Sequence, residues 1–491
     1  MALVRIDILN HADYGGEFRE HENAPGLAKF YSAIESVRSK NKENTLLLDA
    51  GDNINRVLWH GKEVFEGLDL IKTDCMVLGN HEFDKGLKQL EDNIDYIKDK
   101  FPILCANIIV KETNDFIKGV KPYVILEKNG IKYGIIGVTT EYTQYMVDSN
   151  SFYKFKVLDQ VKALRKYIVE AREMGAEIII CLTHFPFYFT KDSESGELID
   201  VLKQIIDLKP DVMIGGHIPG DYARVVMDCA ITKGGFGGKS LPHITLTFDT
   251  ETRKVVAKEC TVIDVLHGNF EVNQEIQEFV NRVTGPYEYY FSEVLGYTNE
   301  DIKMRLSIES PMGNLICDAV KEFVETDVVY FNCTSCGRKI SKGEITRFTI
   351  SNAMGFNDPL QKGYMSGQQI WDLFELVHEP QRFGNNANIM FSGLIVKIDN
   401  TKPAFSKVVS ITLLDGSPID FKKSYSVITS AYMSSGGNDT GKVANQINWQ
   451  DTKIPIHDVL FSYVKKHREI KSPKLGRYPM IGHPENDNSP W

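Results

Sequence analysis

Nowhere in the 491 residues does an apolar run approach the ~20 residues of a membrane span, so no membrane partner is expected. Positive charge is in deficit: 56 lysines and arginines stand against 66 acidic residues. The resulting net charge of −10 argues against a nucleic-acid polymer as partner. The first residues have no charged segment leading into an apolar one, so no signal peptide is visible. A cytoplasmic location is the expectation, with secretion open if a leader has been trimmed. Cysteines number only eight, mostly inside apolar runs, and read as buried thiols of a reducing compartment. Cys333-Thr334-Ser335-Cys336 has Cys-x-x-Cys spacing, but no second pair completes a zinc site. It reads as two ordinary thiols in a loop. There is no internal repeat, and the oligomeric state is not legible.

What is present is the composition of a globular protein, 42% hydrophobic and 25% charged, with length for two or three domains. The first ~260 residues alternate strand and helix patterns. Strands are predicted at 3–10, 45–49, 75–78, 102–106, 132–139, 177–182 and 212–214. Helices are predicted at 26–39, 157–174 and 198–208, and a closing hairpin at 243–249 and 254–264. Such alternation means a sheet with helices on its faces, and ligand sites at the carboxyl ends of its strands. Residues 273–303 are helix-prone, interrupted by Gly285-Pro286, and read as a connector. A second unit begins near residue 306, with helices at 313–324 and 366–378 and strands at 328–331, 389–398, 408–414 and 424–429. The segment after 471 reads as an irregular surface tail. The division is thus 1–265, a connector at 266–305, and 306–491.

Five stretches end an apolar run on a residue that can bind metal. They are Asp13, Asp49-Ala50-Gly51-Asp52, Gly79-Asn80-His81-Glu82-Phe83-Asp84, Thr183-His184 and Gly215-Gly216-His217. Carboxylates, an amide and imidazoles make a hard-to-borderline ligand set that suits Zn, Mn or Fe beside a phosphate. His81, three residues before Asp84, is placed for a dyad in which a carboxylate fixes the imidazole tautomer and raises its basicity.

These motifs resemble those of the calcineurin-like metallophosphoesterases. With Met312-Gly313-Asn314-Leu315-Ile316-Cys317-Asp318-Ala319 and Ser435-Gly436-Gly437-Asn438-Asp439, nearly the whole chain is similar to the two-domain 5′-nucleotidase family, which includes 2′,3′-cyclic-nucleotide phosphodiesterases. The resemblance implies an α/β (α+β) fold: a four-layer αββα sandwich followed by a smaller mixed α/β substrate-binding domain. It implies ligand in a cleft between domains, gated by rotation about the connector. It also implies a bridging Asp52, and a metal held by Asp52, Asn80, His184 and His217. His81 then meets the scissile phosphate or leaving oxygen, and Asp84 orients it.

Departures from the pattern are concentrated. The family's Asp-x-His reads Asp13-Tyr14-Gly15, and its Gly-His-x-His reads Gly216-His217-Ile218-Pro219. Both missing histidines belong to the first of two metals, which keeps only Asp13 and Asp52. One well-formed metal site and a weakened or absent second are therefore expected. His11, His21 or Glu17 could substitute by loop movement, although a core or surface role fits His11 better. In the second unit the family grips nucleotide with arginines and two stacking aromatics. Phe356 matches one aromatic; the other position is Thr440, and an expected arginine is Pro311. Asn332, Arg338, Asn357 and Asp439 complete the candidate substrate residues, with Arg382 a further arginine. Phe356 could equally be core, and Asn332 and Asn357 could simply close turns. The expectation is a metal-dependent phosphoric-ester hydrolase acting on a nucleotide-like or other small phosphorylated molecule. The alternative is a non-catalytic binding protein on the same fold.

Overall fold

The computed structural model describes residues 3–54, 61–190, 193–306, 308–379 and 389–482. The chain forms two compact units, Met1–Pro286 and Tyr287–Trp491. Among the described residues no helix is long and apolar enough to cross a membrane.

The first unit is built on two sheets packed face to face. In one, the parallel strands Leu3–His11, Thr45–Asp49, Cys75–Val77, Ile103–Leu104 and Val120–Lys121 continue into the antiparallel pair Ser240–Asp249 and Lys254–Asp264. In the other, Ile131–Thr139, Ile178–His184, Val212–Gly215 and Cys229–Lys233 run parallel between the antiparallel edges Tyr123–Lys128 and Tyr222–Val226. Period-two alternation sends Ile6, Ile8, Leu46, Leu48, Ile135, Ile180 and Ile214 into the core between the sheets. Alternate residues face outward. Leu9 and Leu47 meet the helices Gly26–Arg38 and Lys62–Leu70, while Ile136, Ile179 and Met213 meet Gln160–Glu173 and Glu197–Ile205. This is the four-layer αββα order. Its consequence for function is that strand carboxyl ends of both sheets gather at one rim.

The second unit has a five-stranded sheet in the order Ile389–Ser392, Val328–Asn332, Ser424–Thr429, Pro359–Ser366, Gln450–Pro455. Val329 and Phe331 face the helices Pro311–Val324 and Ile456–His467. Val328 and Tyr330 face Gly367–Val377 and a smaller three-stranded sheet.

Several expectations need correction. Residue 157 ends a strand, Phe155–Val157, and the helix starts at Gln160, where Asp159 caps the Lys162 N–H at 2.9 Å. Gly285-Pro286 does not interrupt its helix, which runs Gln274–Phe291, with Pro286 on the exposed side. Residues 294–298 are strand rather than helix, because Val294–Thr298 finds a partner in Gly343–Thr346. The predicted strand at 389–398 is two strands, broken at Gly393, whose φ of 97° and close approach to the Asp327 carbonyl leave no room for a side chain. The tail is not merely surface: Tyr478 is buried, and Met480–Ile481 adds a strand beside Leu394–Asp399.

Candidate metal centre

Each candidate ligand ends or follows a strand of the first unit. Asp13 lies just past Leu3–His11, and Asp52 past Thr45–Asp49. Asn80 and His81 follow Cys75–Val77; His184 is the last residue of Ile178–His184; His217 lies just past Val212–Gly215. Three of these residues hold left-handed backbone conformations without being glycine: Asp13 (φ 53°), Asp52 (φ 60°) and His217 (φ 74°). Each such conformation costs on the order of 1 kcal/mol, and such costs concentrate where side chains must be aimed. Two glycines make the close approach possible. A Cβ on Gly79 would lie 2.2 Å from Asp52 Oδ1, and one on Gly51 would lie 2.4 Å from the Gly79 nitrogen.

The structure brings the retained set together. Ligand atoms of Asp52, His184 and His217 all lie within 4.8 Å of one another. His217 Nδ1 is 2.8 Å from Asn80 Oδ1, which adds the amide. His184 is fully buried, and its Nδ1–H donates to the Ala50 carbonyl at 2.6 Å. That bond orients the ring and leaves Nε2 as the inward nitrogen. His184 Nε2 sits 3.0 Å from Asp52 Oδ2 yet makes no aligned hydrogen bond. Two donor atoms this close without an aligned bond between them are spaced as two ligands of one cation would be. The donor set fits a divalent ion. Burial disfavours charge on both groups, but the imidazoles of His184, His81 and His217 hold Asp52 far below the usual carboxylate range. Asp52 and Asp13 in turn push His184 up to about 10 against its burial. Asp52 is therefore held in its ionised form, the form that can ligate a cation.

His81 and Asp84 form the expected pair, with Nδ1 2.7 Å from Asp84 Oδ2, and His81 Nε2 lies 3.8 Å from Asp52 Oδ2. Two carboxylates that the motifs did not single out hold this loop system. Glu82 accepts main-chain N–H bonds from Gly79, Asp52 and Asn53 at 2.7, 2.9 and 2.8 Å, tying two ligand loops to one side chain. Asp49 accepts from Gly51 N–H at 2.9 Å and Asn53 Nδ2 at 2.7 Å. Burial raises both acids to about 7. Hydrogen bonds to main-chain donors leave no trace in side-chain patterns, which is why the sequence conceals them.

The other side of Asp52 is different. Asp13 Oδ2 accepts the His217 main-chain N–H at 2.9 Å, so it braces the loop it would have shared a metal with. Gly15 and Pro219 offer no side-chain donor. His11 does not substitute. It is fully buried, edge-on to Phe30 at 5.5 Å and Tyr14 at 6.3 Å, and burial lowers it to about 3. His21 Nε2 is instead paired with Glu17 Oε2 at 2.8 Å. A first ion of the two-metal type does not fit these residues.

The candidate substrate residues lie in the second unit. Asn332 Nδ2 donates to Thr334 Oγ1 at 2.8 Å, and Asn357 Oδ1 accepts the His457 N–H at 3.0 Å beside a helix start. Both have local work. Phe356 and Arg338 are half-buried, and Asp439 holds a left-handed conformation (φ 56°). Thr440 is buried against Gly437, and Pro311 opens its helix behind the Ser310 cap. Arg382 lies outside the described residues.

Fold and site together define a metallophosphoesterase domain joined to a second α/β unit. Residues 11–221 match the calcineurin-like phosphoesterase family, and residues 291–445 match the 5′-nucleotidase C-terminal domain. The chain belongs to the calcineurin-like phosphoesterases of the two-domain 5′-nucleotidase family, whose metallophosphoesterase domain implies a divalent metal. A 5′-nucleotidase of Diplobatis ommata is 26% identical over 92% of this chain and 84% of its own. The crystal structure of a 5′-nucleotidase precursor from Thermus thermophilus shares the fold with a TM-score of 0.83 at 21% identity, over 98% of this chain and 100% of that one. A sulfate thiohydrolase from the same organism shares it with a TM-score of 0.78 at 18% identity, over 99% and 98%. The fold alone therefore does not choose the substrate.

Proposed function

We propose that the chain hydrolyses phosphoric esters of a nucleotide or a related small molecule, using one divalent transition ion (Zn, Mn or Fe) held by Asp52, Asn80, His184 and His217. The observation that carries this is the buried His184 Nε2, without an aligned hydrogen bond and 3.0 Å from Asp52 Oδ2, inside a cluster that also holds His217. When bound, such an ion supplies Lewis acidity toward a phosphoryl oxygen and lowers the pKa of water. The chain's own residues do the rest. Asp84 fixes the His81 tautomer and raises the basicity of Nε2, which is placed on the Asp52 side to hold or deliver a proton at the leaving oxygen. Glu82 holds the loops of Asp52 and Asn80 in register so that the ligands are positioned before substrate arrives. In the second unit, Phe356, Asn332, Arg338, Asn357 and Asp439 are the residues proposed to bind substrate.

The test is metal analysis of protein purified without chelator, with turnover of a nucleoside 5′-monophosphate and a generic phosphodiester under added Mn²⁺, Zn²⁺ or Fe²⁺. One bound ion per chain and metal-dependent release of phosphate or alcohol are expected. No ion and no turnover with any metal would leave the non-catalytic binding reading in place.

A further inference from the structure

Lys233 is fully buried, a rare condition for lysine without a compensating role. It is the last residue of the strand Cys229–Lys233 and stands opposite Gly215 in the parallel ladder that leads into Gly216-His217. Its Nζ donates to the main-chain carbonyl of Pro219 at 3.1 Å and to that of Phe187 at 3.3 Å. The same Nζ lies 4.9 Å from the Phe187 ring centre and 5.3 Å from that of Phe189. A Cβ on Gly220 would be 3.5 Å from it. Asp13 braces the other end of this same loop, its Oδ2 on the His217 N–H. Immediately past Lys233 the chain runs against the Asp13 segment: a Cβ on Gly234 would lie 2.9 Å from the His11 Cα, and Gly237 N–H donates to the Asp13 carbonyl at 3.0 Å. The negative charges that act on Lys233 are Asp13 first and Asp221 second, against a burial that lowers it to about 8.

Resting on the one-metal reading above, we infer that the Lys233 ammonium replaces, electrostatically, the positive charge of the first ion that Gly15 and Pro219 no longer support. The site then works with one divalent ion and one fixed ammonium. Lys233 is too buried to touch substrate. It is a positioning residue that offsets Asp13 and keeps that side of the site receptive to a phosphoryl dianion. The bond to the Pro219 carbonyl fixes the ammonium on the loop that carries the altered position.

The electrostatic role and a plain loop-anchor role differ in sign. Removing a nearby positive charge strengthens cation binding and weakens anion binding, whereas loosening the loop weakens both. Mn²⁺ alone is titrated calorimetrically into apoprotein, and inorganic phosphate into Mn²⁺-loaded protein, for the wild type, Lys233→Met and Lys233→Arg. One Mn²⁺ per wild-type chain is expected. Lys233→Met should bind Mn²⁺ roughly tenfold tighter and phosphate roughly tenfold weaker, with Lys233→Arg close to wild type in both. Lys233→Gln carries the same test should the methionine variant fail to fold. Two Mn²⁺ ions per wild-type chain, a parallel fall in both affinities, or no change in either overturns the inference. A wild type that takes up no Mn²⁺ at all instead removes the metallophosphoesterase reading on which it rests.

Discussion

Asp52 divides the centre into two sides that share a backbone design and differ in chemistry. On one side stand His184, His217 and Asn80, each with a donor atom turned toward the Asp52 carboxylate or its neighbours. On the other stand Asp13, Gly15 and Pro219, with one carboxylate and no imidazole. Yet Asp13 keeps its left-handed conformation and still bonds to the His217 main chain. Loop geometry on that side stands without imidazole donors. The difference teaches that the strand-end scaffold is maintained by main-chain hydrogen bonds, and that metal capacity is a separate property carried by a few atoms. Losing the second kind of feature need not disturb the first.

The comparison breaks most visibly if the retained side proves dispensable. His217→Ala removes an imidazole and the group that meets Asn80, and should abolish bound metal and lower turnover by about 10³-fold or more. Inorganic mass spectrometry and a phosphate-release assay read both effects; full activity with full metal content would mean the ion sits elsewhere. His81→Asn should cost next most, about 10²- to 10⁴-fold in turnover, while metal content stays at the wild-type level. Loss of metal in that variant would make His81 a ligand rather than a proton carrier.

His11 sharpens the comparison from the altered side. Its ring is buried with both nitrogens lacking hydrogen-bond partners, and burial lowers it to about 3 from an ordinary value near 6.5. Because the folded pKa lies below the unfolded one, the unfolded chain binds the proton first. Its contribution to stability is intact above about pH 6.5 and is lost as pH falls toward 3, reaching roughly 4 kcal/mol. His11→Leu should therefore melt like wild type or higher at pH 7, and lose less stability than wild type on acidification. It should keep metal and activity throughout. Thermal melts from pH 7 to 4 check this; loss of the ion in His11→Leu would show that the altered side still recruits a histidine.

Much of the scaffold was legible because ligands sit where apolar runs stop. Leu46-Leu47-Leu48 before Asp49, and Ile178-Ile179-Ile180 before His184, announce buried parallel strands and their polar ends. The positions of Asp52, Asn80 and His184 at one rim follow from that pattern and from the family resemblance. What stayed hidden has a common cause. Glu82 and Asp49 act by accepting main-chain N–H bonds, and Lys233 acts from a strand whose sequence, Cys-Ala-Ile-Thr-Lys, looks like any strand with a polar end. The strand at Val294–Thr298 was masked because its partner, Gly343–Thr346, lies far along the chain. In the second unit, Asn332 bonds within its own loop, to Thr334, whereas Asn357 reaches the main chain of His457 a hundred residues on, a partner that no local pattern announces.

Asp13→Asn should produce the smallest effect. An asparagine keeps an oxygen that can accept the His217 N–H now bonded at 2.9 Å, so the loop stays braced. Burial raises the Asp13 carboxyl against the pull of His184, and the amide resembles its protonated form. In a site with a full first metal, the same change would strip a ligand and take one of two ions with it. Here the number of bound ions should be unchanged and turnover should move less than about tenfold. Removing a negative charge should also tighten inorganic phosphate slightly, the opposite of what Lys233→Met does. Metal counting and phosphate titration on Asp13→Asn decide the matter. A loss of bound metal with a fall of about 10²-fold or more would show that Asp13 still holds an ion, and that the two sides of Asp52 are more alike than their side chains suggest.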